Sequence, residues 1–344
     1  MAKKQLGQFY TTNYDYILSN MKIPDNIENI IEPFVGNGDL LKFIKDKKYH
    51  IEKYDIDPKD TTTEQRDTLT FPPDYTNKFI LTNPPYLARN KNKNKDLYDL
   101  YKCNDLYKCF IINIITNSCK GGIIILPLNF LSSIRKSDIE LRKNFLQKYT
   151  IKIVNIFEER VFDDTSYAVC SIHFMEKTPT DTDIFDTFIY PSKKKLAIKL
   201  APENNFTIGG EIYNLPQNSK YIIQRATKKT KNNITNILLK CIDDNINSQL
   251  GFSIVSDEER FIDNTPKLSA RSYATLVITN TLDKSFTVEE QVILVQKMNS
   301  FIKKNREKYN SLFLTNYRES NTIARKRISF NLAFKICNYI ISSE

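Results

Sequence analysis

No two of the six cysteines stand as C-x-x-C, and the chain holds only two histidines, His50 and His173. No zinc pattern can be assembled from such a set, so the thiols read as free and buried and the chain as intracellular. Long apolar runs are also missing. The longest, such as residues 122–126, are strand-sized and far too short to span a bilayer. The basic opening Met1-Ala2-Lys3-Lys4-Gln5 has no apolar stretch behind it, so no signal peptide is expected. The expectations are a protein of the cell interior, no membrane partner and no metal requirement. Negative charge is the scarcer sign: 50 Lys and Arg against 40 Asp and Glu give a formal net charge of +10, which suits an anionic partner.

What remains is ordinary for a globular chain. The 344 residues, 41% hydrophobic and 26% charged, suffice for two domains. In the first half, short apolar runs alternate with helical patterns, which predicts strands over 29–34, 51–56, 78–82, 122–127, 152–157 and 168–175. Helices are expected over 38–47, 97–119 and 137–148, after an opening helix marked by Tyr14, Ile17, Leu18 and Met21. This is the pattern of an α/β fold, a Rossmann-like sheet with helices on both faces and ligands at the carboxyl ends of its strands. A polar, Pro-containing stretch from Thr178 to Asp183 marks the boundary between residues 1–183 and residues 184–344. The second part reads as α+β, with helices over 288–309 and 322–341. Residues 90–95, N-K-N-K-N-K, read as a mobile loop.

Two stretches carry chemistry. The first strand leads into Glu32-Pro33-Phe34-Val35-Gly36-Asn37-Gly38, where glycines let the backbone approach a ligand. Asp55-Ile56 ends the next strand, at about the ~20-residue spacing from which an acidic residue reaches a ribose in nucleotide-binding α/β folds; the alternative is a solvated loop carboxylate. Candidate cofactor contacts are therefore Glu32, Pro33, Gly36, Gly38, Asp55 and Ile56, with Glu32 placed to meet a cationic amino group. The second stretch is Asn83-Pro84-Pro85-Tyr86, at the exit of the strand over 78–82. An exocyclic amine such as adenine N6 is a poor nucleophile because its lone pair is delocalised into the ring. The Asn83 side-chain oxygen and the Pro84 carbonyl are suited to accept its two N–H bonds and favour the pyramidal form. Consecutive prolines fix that backbone, and Tyr86 offers a ring on which a planar base can stack.

These residues make the first half similar to the N6-adenine DNA methyltransferase family, in the order class whose cofactor motif precedes its catalytic motif. Leu6-Gly7-Gln8-Phe9-Tyr10-Thr11-Thr12 resembles the family's N-terminal motif. The resemblance implies S-adenosylmethionine as cofactor, with contacts from Phe9, Tyr10, Thr11 and Asn83, and from Asp67 of Arg66-Asp67-Thr68-Leu69 near the cofactor's adenine. It also implies an aromatic residue that sandwiches the flipped base against Tyr86. Phe162 is the choice, Tyr167 the fallback, and core packing the alternative for Phe162. Phe34 departs from the family, which favours a small residue there. The implied activity is site-specific methylation of adenine N6 in double-stranded DNA by a chain acting as a monomer, any cognate restriction endonuclease being a separate protein. Alternatives are methylation of RNA bases or of a protein glutamine amide, and a catalytically silent nucleic-acid-binding subunit. The resemblance covers residues 3–177. Residues 184–344 are left as the DNA target-recognition region, where Arg325-Lys326-Arg327 near Tyr317 and Arg318 form the candidate contact cluster.

Overall fold

Buried, isoleucine-rich runs place the central strands of a nine-stranded sheet. The computed structural model describes residues 7, 9–44, 48–162, 167–243, 249–263, 272–281, 285–316 and 326–343, and the chain divides into two compact units, Met1–Ala201 and Pro202–Glu344. The sheet belongs to the first unit. Its strands are β1 (Asn29–Glu32), β2 (His50–Asp55), β3 (Glu64–Gln65), β4 (Phe79–Thr82), β5 (Gly121–Pro127), β6 (Tyr149–Phe157), β7 (Val169–Glu176), β8 (Ile184–Tyr190) and β9 (Lys194–Lys199). They lie in the order β3-β2-β1-β4-β5-β7-β6-β8-β9. Neighbours from β3 to β5 are parallel; β7 is antiparallel to both β5 and β6, β8 is parallel to β6, and β9 is antiparallel to β8. Every residue of β4 and β5 is buried, as in strands covered on both faces. The chain winds outward from β1 to β3, then returns to β4 and winds the other way. Right-handed crossovers put the two sets of connections on opposite faces, and the crevice beyond the carboxyl ends of β1 and β4 is where such a sheet takes its ligand. The unit thus has the α/β architecture expected from its sequence.

The helices of this unit are α1 (Tyr14–Ile17), α2 (Asp96–Leu100), α3 (Leu106–Asn117), α4 (Asn129–Ser132) and α5 (Lys136–Lys148). Two differ from expectation. After Gly38 there is only a 3-10 turn, Leu40–Phe43, followed by an extended Ile44; residues 45–47 lie outside the described set. Leu40 is the one buried residue of that turn, too little apolar surface to hold a helix against a sheet. The helix expected over 97–119 is broken, because Lys102 takes a left-handed conformation (φ 50°) and the extended Asp105 starts α3 afresh. The polar stretch at 178–183 is a turn, closed by the Thr178 N–H donating to the Asp181 carboxylate (2.8 Å). The chain beyond it adds β8 and β9 to the same sheet, burying Phe185, Ile189 and Ile198, so this unit runs past residue 183 to Ala201.

The second unit is α+β. Strands β10 (Tyr221–Arg225), β11 (Ile234–Lys240), β12 (Gly251–Ile254) and β13 (Tyr273–Asn280) form an antiparallel sheet in the order β10-β13-β11-β12. Helices α6 (Val288–Tyr309) and α7 (Phe330–Ser342) supply Leu294, Met298, Ile302, Leu332 and Ile336 to its core. Helix α6 matches its sequence pattern. Helix α7 starts later than the predicted 322, where Ser329 accepts the Leu332 N–H, because Lys326–Arg327 form a strand, β15, paired with β14 (Thr315–Asn316). That pairing corrects one member of the expected contact cluster, since Lys326 is only 4% exposed; Arg327 is half-buried, and Tyr317, Arg318 and Arg325 lie outside the described residues. Among the described residues no helix is long and apolar enough to cross a membrane.

Candidate active site

Glu32 ends β1, and its turn is tied to the end of β2. The Gly36 N–H donates to Asp55 Oδ2 (2.7 Å) and the Asp57 N–H to Oδ1 (2.8 Å), so a carboxylate nineteen residues on locks the loop. Gly36 has φ +56°, and a Cβ there would meet the Tyr10 ring at 3.0 Å, so both conformation and space call for glycine. Glu32 itself is 1% exposed. Its Oε1 accepts from the Thr82 hydroxyl and from the Phe34 N–H (3.1 Å), while its Oε2 is buried without a partner among the described residues. Burial pushes the Glu32 carboxyl up to about 8; Asp55 adds to the rise, and the bonds from Thr82 and Phe34 oppose it. An unpartnered, buried carboxyl oxygen is a natural receptor for a cationic group.

Asn83 follows β4 directly. Its Nδ2 donates to the Phe9 carbonyl (2.9 Å) and to Thr11 Oγ1 (3.1 Å), and its Oδ1 accepts from the Tyr86 hydroxyl, which also contacts the Ile125 carbonyl (2.7 Å). The Tyr86 N–H donates to the Gly7 carbonyl (2.9 Å), so the N-terminal segment runs against the N-P-P-Y loop. On the other side, Leu87 N–H donates to Asp105 Oδ1 (3.1 Å), and burial pushes the Asp105 carboxyl up to about 6. The Tyr86 ring is 2% exposed and packs on Phe9 (centroids 5.5 Å apart), Tyr107 (6.2 Å) and Tyr167 (6.3 Å). Phe9 also meets Phe162 at 6.4 Å and Tyr167 at 6.3 Å.

A cavity of about 310 Å³ opens at these strand ends. Of the residues singled out in the sequence, Phe9, Tyr10, Thr11, Glu32, Gly36, Asp55, Ile56, Asp67, Asn83 and Pro85 line it. Pro33, Gly38, Pro84, Tyr86 and Phe162 do not; Phe162 is 3% exposed and meets the site through Phe9. Asp67 is partly committed to its own turn, accepting from Leu69 N–H (3.1 Å) and the Thr70 hydroxyl (2.6 Å). The lysine–asparagine run folds onto the cavity: Asn92 and Asn94 line it, and Lys95 Nζ donates to the Arg89 and Asn92 carbonyls. Sequence reasoning missed Thr82, Asp105 and these two asparagines. Thr82 had a legible signal, a hydroxyl just before Asn83 on a fully buried strand, where a polar group must find a partner.

The family model described as N-6 DNA Methylase matches residues 47–275. A search of curated proteins finds no significant match. Similar solved structures include the type I restriction-modification system methyltransferase subunit from Streptococcus thermophilus, 15% identical over 55% of this chain and 48% of that one, with a TM-score of 0.40. Another is the type I restriction enzyme EcoKI M protein, 12% identical over 81% and 67%, TM-score 0.35. A third is the DrdV–DNA complex, 12% identical over 70% and 35%, TM-score 0.44. The chain spans about half the length of the first solved structures it matches.

Proposed function

This chain belongs to the N-6 DNA methylase family, and we propose that it transfers the methyl group of S-adenosylmethionine to N6 of a flipped adenine in duplex DNA. The observation that carries the proposal is the pairing, in one cavity wall, of an anchored Asn83 amide with the unpartnered buried oxygen of Glu32. The residues of this wall suit the cofactor: Glu32 Oε2 would hold its amino group, and Asp55 and Asp67 would accept from its ribose and adenine, each carboxylate oxygen keeping acceptor capacity beyond the bonds described. When bound, the cofactor supplies an electrophilic methyl carbon on a sulfonium centre.

The residues do the rest. Asn83 Oδ1 and the Pro84 carbonyl take the two N6–H bonds, and the amine lone pair becomes available as the nitrogen pyramidalises. No dedicated base is needed, because the N6 proton turns acidic once the methyl has moved. Extruding the base costs a few kcal/mol, offset by stacking on Tyr86 and by phosphate contacts. Phe9 lies against both Tyr86 and Phe162, so its ring has to shift for a base to stack there, with Phe162, or Tyr167, closing the sandwich. The first unit holds the whole cavity, so the second is assigned to choosing the DNA target. The test is transfer of labelled methyl from S-adenosylmethionine to plasmid DNA, mapped by base. N6-methyladenine at a defined site is expected. Label only in RNA or protein, or on cytosine, overturns the reading.

A further inference from the structure

We propose that Thr11 is a positioning residue for Asn83: with the Phe9 carbonyl, it takes up both amide hydrogens and so fixes the amide oxygen as the acceptor offered to the substrate amine. The inference rests on the function proposed above and adds a residue to it.

A primary amide has two N–H donors on one side and an acceptor oxygen with two lone pairs on the other. Turned the wrong way, Asn83 would present hydrogens to an amine that has hydrogens of its own, and the site would repel its substrate. Both hydrogens are accounted for, at 2.9 Å on the Phe9 carbonyl and 3.1 Å on Thr11 Oγ1. A flipped amide would set its oxygen against the Phe9 carbonyl, which has no hydrogen to give. The Tyr86 hydroxyl, whose single hydrogen is shared between Asn83 Oδ1 and the Ile125 carbonyl (2.7 Å), occupies at most one lone pair of the amide oxygen and leaves the other for the substrate. Thr11 is 3% exposed, so no water replaces its oxygen easily. The anchoring segment is itself held to the catalytic loop through Gly7, whose φ is +70° and whose absent Cβ would come within 2.8 Å of the Tyr86 carbonyl oxygen.

Thr11→Val keeps the shape and removes the acceptor; Thr11→Ser keeps the acceptor. Thr11→Val should lower kcat at least tenfold, more than it weakens binding of S-adenosylmethionine in the cavity that Thr11 also lines, and Thr11→Ser should recover most of the loss in kcat. In an Asn83→Ala background, Thr11→Val should cost nothing further, since its partner is gone. With selective 15N-asparagine labelling, one Asn83 side-chain hydrogen should lose its exchange protection in Thr11→Val and regain it in Thr11→Ser. Parent-like kcat in Thr11→Val, or weaker cofactor binding with kcat intact, overturns the proposal. If the parent methylates no DNA, the functional reading falls. The exchange experiment then still decides whether Thr11 anchors the amide.

Discussion

Glu32 and Asn83 divide the work of the site, and the division can be measured. The Glu32 carboxyl, raised to about 8 by burial, is largely protonated at pH 7 in the free protein. Because its folded value lies above its unfolded one, its contribution to stability is complete below the ordinary carboxylate range and is lost as pH rises toward about 8. A cationic amino group beside Oε2 would pull the proton off. Cofactor binding at pH 7 should therefore release close to one proton, seen as binding enthalpies that differ between phosphate and Tris buffers. Identical enthalpies would count against an ammonium at Glu32. Asn83→Ala should behave otherwise, losing ~10²–10³ in turnover with cofactor affinity nearly unchanged, since the acceptor matters most as N6 pyramidalises. Equal damage to cofactor binding in single-turnover and titration experiments would undo this assignment. Both residues were legible in the sequence because each is fixed by its place at a strand end. Thr11 was visible as part of the N-terminal motif, but its bond to Asn83 spans 72 positions that only the fold brings together.

Among the elements, strands were easier to foresee than their connections. Strands β4 and β5 are buried throughout, and a continuous apolar run leaves little choice of structure. The strand pair β8–β9 was missed because its residues alternate between buried and exposed after a polar turn that reads as a domain border. The break between α2 and α3 hangs on the left-handed Lys102, a residue type that gives no warning of it. Helix α6 shows the opposite case, where local chemistry writes its own start. Thr287 accepts the Glu290 N–H (3.2 Å) while Glu290 accepts the Thr287 N–H (2.8 Å), closing a capping box ahead of an apolar stripe from Leu294 to Ile302. Thr287→Ala should lower stability by about 1 kcal/mol, read as a lower urea midpoint. Cofactor affinity should not change, because the cavity is lined wholly by the first unit. A midpoint equal to that of the parent would mean the cap contributes nothing there.

At the scale of the whole molecule, the net charge of +10 has to be placed before it explains anything. Lys326, a member of the cluster suggested by the sequence, does not serve, since it sits 4% exposed in a strand pair and a buried lysine cannot reach a phosphate. A better-placed group is the turn after β10, where Lys228, Lys229 and Lys231 are all exposed and the Thr230 N–H closes onto the Thr227 carbonyl (2.8 Å). If the second unit carries the DNA, as proposed, this turn is where backbone contacts are expected. Phosphate contacts are read through salt: each one lost flattens the log–log dependence of affinity on salt by about 0.9. Replacing the three lysines by alanine should therefore weaken binding to cognate and random duplexes alike and flatten the slope by up to roughly 2.7, with cofactor affinity intact. Lys326→Ala should leave the slope alone and instead lower the melting temperature, because it removes buried interactions within the fold rather than a phosphate contact. The opposite pattern, a changed slope for Lys326→Ala and none for the triple variant, would move the phosphate contacts from this turn to the β14–β15 strand pair. No change of slope in either would take this turn out of phosphate binding.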